Sequence, residues 1–74
     1  MSISENLKAS IAARIDALRH RHRQIDMQVT REQKHPWRDL TLLQRLKRRR
    51  LRLKEELDRH EGLLRTLSRP RSVH

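Results

Sequence analysis

Between Arg45 and Lys54 the chain carries seven basic side chains and no acid: Arg45, Lys47, Arg48, Arg49, Arg50, Arg52 and Lys54. Guanidinium groups take up phosphate oxygens as planar, bidentate pairs, and arginine outnumbers lysine in this chain by 15 to 4. Laid along a polyanion, such a run binds by releasing condensed counterions. The competing reading is a solvated helix face that keeps a small protein soluble. A run this dense, without one carboxylate, favours a real anionic partner.

The histidines invite thoughts of metal. His20 and His22 stand two apart, which on a helix separates them by about 200°. His22 and Asp26, four apart, share a side and read as a hydrogen-bonded pair. With Arg50 on a facing helix they form a polar layer that sets register, and metal binding is not expected. There is no nucleophile–base–orienter arrangement, no glycine-rich phosphate loop and no cysteine. Two helices also close no pocket. The expectation is a protein that is not an enzyme, without cofactor or small-molecule substrate.

These side chains must be positioned by very little chain. Seventy-four residues make one domain at most, with a formal net charge of +10, one aromatic residue (Trp37) and one glycine (Gly62). No apolar run approaches the roughly 18 residues of a membrane span, and the start lacks a secretory signal's apolar core. A soluble, cytoplasmic protein of bacterial type is expected. Abundant Leu, Arg, Glu and Lys with almost no turn formers is a coiled-coil composition. Disorder shares the high charge and the scarcity of aromatics, but regular apolar spacing argues against it.

That spacing is clear. Ile3, Leu7, Ile11, Ile15, Leu18, Ile25 and Val29 fall at intervals of three, four and seven, with His22 filling the gap, so one stripe runs along a first helix from about 2 to 33. Ser2 and Glu5 offer a capping box at its start. Pro36 enforces a turn over 34–38, and either Pro36 opens the second helix or Asp39 caps it. The second helix, about 39–67, repeats the pattern with Leu43, Leu46, Arg50, Leu53 and Leu57; Gly62 weakens its last turns, and 68–74 form a loose basic tail. A short connection makes the pair an antiparallel, coiled-coil-like hairpin, an all-α fold. Pairing numbers that sum to 71 or 72 sets Val29 by Leu43, Ile25 by Leu46, Leu18 by Leu53, Ile15 by Leu57 and Leu7 by Leu64, with Ile3 near Leu67 and His22 opposite Arg50.

Leu40, Leu51 and Met27 fall off this seam and call for burial in a homodimer or higher helical bundle. Trp37 either packs on Val29 or Leu40 to close the hairpin's end or stands exposed as an anchor for a partner. The charge is uneven too. Arg19 to Lys54 holds 13 basic and 3 acidic residues, a net of +10, while the remainder has 6 of each and balances through i,i+4 pairs such as Glu55–Arg59 and Glu61–Arg65.

The functional expectation is binding of DNA or RNA through Arg45, Lys47, Arg48, Arg49 and Arg52, joined by Arg19 and Arg23 from the first helix. With no groove-reading motif and no run of aromatics, such binding ignores sequence. The alternative is an adaptor or small structural subunit that docks through Leu40, Leu51, Trp37 and Met27 while its arginines meet an acidic protein surface. A membrane-surface role ranks third, because the basic residues do not flank an exposed apolar face with aromatics.

Over roughly Ile15 to Leu57 the chain resembles the YdcH-like family of small bacterial coiled-coil proteins of unknown function. Leu18, His22, Ile25-Asp26 and Val29 carry the resemblance on the first helix. Asp39, Leu43, Leu46-Lys47, Arg50-Leu51 and Leu53-Lys54-Glu55-Glu56-Leu57 carry it on the second. The resemblance implies a helical hairpin that self-associates and implies no activity. Members are often less basic, so the arginine surplus belongs to this chain. The stretch after Leu57 exceeds the usual pattern.

Overall fold

The structure, a computed structural model, describes residues 3–69. They form two helices, α1 (Ile3–Lys34) and α2 (Leu40–Ser68), folded back on each other as an antiparallel hairpin. The molecule measures 59 × 26 × 14 Å. Its smallest dimension is near one helix diameter of roughly 10–12 Å with side chains, so both broad faces of the pair lie open to solvent.

The seam forms where the apolar spacing places it. Ile11, Ile15, Leu18, Ile25 and Val29 are buried on α1, and Leu18 is fully enclosed. On α2 only Leu43 is buried, while Leu46, Leu53, Leu57, Leu64 and Leu67 are half-buried. Val29 and Leu43 share one cluster with Ile25, and Leu46 and Leu53 pack against it, as the expected pairing of Val29 with Leu43 and Ile25 with Leu46 requires. The cross-helix ion pairs Arg14–Glu56, Asp26–Arg50 and Arg19–Glu61 have numbers summing to 70, 76 and 80, a scatter that long side chains reaching along the seam produce.

The far end is open. Ile3 is 87% and Leu7 46% exposed, where close partners in Leu67 and Leu64 were expected. α2 ends at Ser68, before it reaches the first turn of α1. Ser2, the expected cap, lies outside the described residues, as do residues 70–74 of the expected tail. Gly62 does not end the ordered helix: α2 passes through it to Ser68, and the Thr66 hydroxyl donates to the Gly62 carbonyl oxygen at 3.0 Å.

The turn is built by carboxylates. Asp39, not Pro36, starts α2: its Oδ1 accepts from the Leu42 amide at 3.0 Å, and its own amide donates to Glu32 Oε1 at 2.9 Å. The His35 amide donates to the Glu32 carbonyl at 3.1 Å. Arg38 reaches the Gln33 carbonyl at 3.5 Å. These bonds hold residues 35–39 with the indole turned outward. Trp37 is 92% exposed and does not close the hairpin's end, because Leu43 already covers Val29, leaving it 2% exposed. The exposed alternative for Trp37 is the observed one.

Candidate polyanion-binding surface

The expected polar layer assembles. Asp26 Oδ2 lies 3.2 Å from His22 Nδ1, and Asp26 Oδ1 accepts from the Arg50 guanidinium, also at 3.2 Å. All three side chains sit at the edge of the seam and are partly buried, so the carboxylate joins the helices without an isolated charge in the core. Position 22 faces inward because it stands three before Ile25 and four after Leu18 on the α1 stripe.

Asp26 is one of three acids in the stretch from Arg19 to Lys54, and all three are engaged by hydrogen bonds within the hairpin. Asp26 holds His22 and Arg50, Glu32 holds the Asp39 amide, and Asp39 holds the Leu42 amide. Among the described residues, Arg21, Arg23, Arg31, Arg45, Lys47, Arg48, Arg49, Arg52 and Lys54 have no carboxylate within ion-pair distance. The balanced half behaves otherwise. Two of its acids pair across the helices, Glu56 with Arg14 at 2.9 Å and Glu61 with Arg19 at 3.1 Å; Glu61 thus takes Arg19 and not the expected Arg65, and the expected Glu55–Arg59 pair does not form. Glu56 and Glu61 both flank the seam, where the facing helix is nearer than the next turn of their own. The Arg14 hydrogen bond holds the Glu56 carboxyl below its ordinary value; desolvation opposes it, and the charges of Arg14, His60 and Arg59 add to the lowering.

Six of these nine cations, Arg21, Arg31, Arg45, Arg48, Arg49 and Arg52, converge on one flank. A groove is lined by His20, Arg21, Gln24, Gln28 and Arg31 of α1 and by Arg49 of α2, with Ile25, Met27 and Leu53 as its apolar lining. A second depression on α2 is lined by Leu42, Arg45, Leu46, Arg48, Arg49 and Arg52. Arg49 lines both, so the two form one continuous basic surface with donors from both helices. Of the residues singled out from sequence, Arg45, Arg48, Arg49 and Arg52 come together here. Lys47 and Arg23 line neither groove, and Arg19 is engaged by Glu61. The α1 contributors are Arg21 and Arg31. The signal that finds them is helical angle: both fall on the same side of the α1 stripe as Gln24 and Gln28, whereas Arg19 and Arg23 fall on the other.

Leu40, Leu51, Met27 and Trp37 are all largely exposed, at 67, 56, 61 and 92%. They are not one patch. Leu40 and Leu51 share a line on α2, Trp37 stands at the turn, and Met27 lies about 160° from the seam on α1. No described helix is long and apolar enough to cross a membrane, and no described group of three or more His, Asp or Glu is placed to hold a metal ion.

Fold and surface together define a small helical hairpin with one strongly basic end. The chain belongs to the family described as protein of unknown function (DUF465), whose model matches residues 15–61 and which includes the YdcH-like small bacterial proteins. No curated protein and no solved structure matches it.

Proposed function

We propose that this is a non-enzymatic nucleic-acid-binding protein whose basic end grips the phosphate backbone of DNA or RNA without regard to sequence. One observation carries the reading: every acid in the turn-proximal half is engaged internally, which leaves Arg21, Arg31, Arg45, Arg49 and Arg52 on a shared flank with no carboxylate to neutralise them. A solvated face kept only for solubility has no need to draw its cations from two helices onto one groove while its carboxylates turn away. Gln24 and Gln28 add neutral donors beside the arginines, suited to phosphate oxygens. The surface lacks an aromatic ladder and any element shaped for a base-pair groove, so affinity rests on charge and is salt-dependent.

The test is fluorescence anisotropy of labelled duplex DNA and of labelled RNA, titrated with the protein over a range of salt. Micromolar or tighter binding near physiological ionic strength supports the reading. Binding that survives only at low salt contradicts it, since any strongly basic protein adheres to polyanions there. The exposed Trp37 and Leu40 at the turn favour, as a second reading, docking of the same end on an acidic protein surface. That reading gains if nucleic acid fails the test.

A further inference from the structure

We propose that Trp37 stacks on an unpaired base of a strand held along the basic flank, which makes single-stranded nucleic acid, and not duplex, the preferred ligand of this end. The stacking contact rests on the nucleic-acid reading above and adds to it an interaction that charge does not supply. Trp37 is the chain's one aromatic residue and is 92% exposed. Leu43 already covers Val29 at this end of the seam, so the hairpin does not need an indole there. Nor does Trp37 ride on a loose loop. Glu32 Oε1 accepts from the Asp39 amide at 2.9 Å, the Glu32 carbonyl accepts from the His35 amide at 3.1 Å, and the Arg38 guanidinium donates to the Gln33 carbonyl at 3.5 Å. These bonds tie the chain on both sides of Trp37 to the end of α1, so little backbone freedom is left to lose when a ligand meets the ring.

The basic flank runs up to this turn. Arg31 lies in the last turn of α1 and Arg45 five residues beyond the start of α2, about 5 and 8 Å along the helix axes from the two ends of the turn. Lys34 and Arg38 stand on either side of Trp37 in the chain, and among the described residues neither has a carboxylate within ion-pair distance. From the turn to Arg21 and Arg52 the flank extends about 20 Å, room for about six phosphates at the roughly 3.4 Å spacing of one stacked strand. A strand laid on these arginines and ending at the turn brings a base to the indole, with Lys34 and Arg38 beside its phosphates. A protein partner or a membrane takes up apolar area as a patch, and Trp37, Leu40, Leu51 and Met27 do not form one. A base needs only one ring face, which every base has, so the contact tolerates any sequence. In a duplex that face is covered and must be unstacked first, whereas a single strand offers it freely.

The chain's one tryptophan makes its own emission the readout. The probe is an oligothymidylate twice as long as the flank can hold, compared near physiological salt with a duplex of equal length. The single strand should quench Trp37 emission strongly and bind more tightly than the duplex, which should quench little. Trp37→Ala should weaken single-strand binding by on the order of tenfold, and Trp37→Phe should recover part of it. The slope of log K against log salt should be the same for Trp37→Ala and the wild type, because no phosphate contact is lost. Helix content by circular dichroism should not change, since the side chain is exposed. Salt-dependent binding with Trp37 emission unmoved and Trp37→Ala without effect overturns the stacking contact and leaves the phosphate-binding reading standing. Equal quenching and affinity with the duplex overturns the preference for single strands. Failure of both probes to bind overturns the two together. Emission that shifts to the blue with vesicles of anionic phospholipid, and is not quenched by the oligothymidylate, assigns the indole to a membrane surface and overturns the proposal.

Discussion

The carboxylates decide what the arginines of this protein are able to do. Asp26, Glu32 and Asp39 serve the fold, while Glu56 and Glu61 draw in Arg14 and Arg19 and withdraw Arg19 from the basic surface. Glu56 gives this a pH signature. Its carboxyl titrates below the ordinary value of 4.5 in the folded state, so between the two values the unfolded chain binds more protons. The stability it contributes is complete above the unfolded value and is lost as pH falls through the folded one. Glu56→Gln should therefore flatten the fall in melting temperature on acidification, with only a small change near neutrality because the pair is partly exposed. Thermal melts by circular dichroism from neutral to acid pH check this, and an unaltered profile would remove Glu56 from the account. His22 tests the polar layer. Replacing it with leucine leaves Asp26 paired with Arg50 and adds apolar surface at the seam, so His22→Leu should hold or raise the melting temperature. The proposed cost is looser register, visible as extra or broadened amide resonances in a nitrogen–proton correlation spectrum. A single sharp set would assign the layer no role in register.

Helices in this chain are specified by pattern more than by propensity. The α1 stripe, the break at Pro36 and the Asp39 cap could be read from spacing, because apolar residues at three and four apart have only one helical solution. His22, Asp26 and Arg50 were legible as a layer for the same reason. What spacing does not contain is the third dimension of the pair. Packing of the two helices drew Glu61 to Arg19 on the other helix and left Ile3 exposed. Trp37 belongs to a turn fixed by polar backbone bonds, which hydrophobic periodicity does not describe. Arg31 was missed as a surface member because charge was weighed by segment and not by angle. Gly62 offers the direct check at this scale. With open space around an added Cβ and ordinary helical geometry, Gly62→Ala should stabilise the chain by about 0.5–1 kcal/mol through reduced backbone entropy loss. Urea denaturation reads it out. A loss of stability there would mean that the helix is distorted at that point.

At the scale of the whole molecule, the hairpin is a thin ribbon, 14 Å deep, with its charge segregated along its 59 Å length. A ribbon this thin buries one stripe per helix and leaves the rest of each surface for other work. One flank near the turn gathers arginines from both helices. A protein so arranged presents a fixed array of guanidinium groups that needs no lid or loop closure to meet a backbone. Its binding should therefore be weakly dependent on sequence and strongly dependent on salt.

The most direct test of that claim compares the salt dependence of nucleic-acid binding among three variants. One removes Arg21 and Arg31 of α1, a second removes Arg45, Arg49 and Arg52 of α2, and a third removes Arg59 and Arg65 from the balanced half, each by substitution with glutamine. A surface shared by both helices predicts that the slope of log K against log salt becomes shallower by nearly one for each arginine lost in the first two variants, about two and about three. The third variant should bind like the wild type. Equal losses in all three would show attraction by net charge alone and contradict the surface. Loss confined to the α2 variant would show that the groove lined by both helices plays no part.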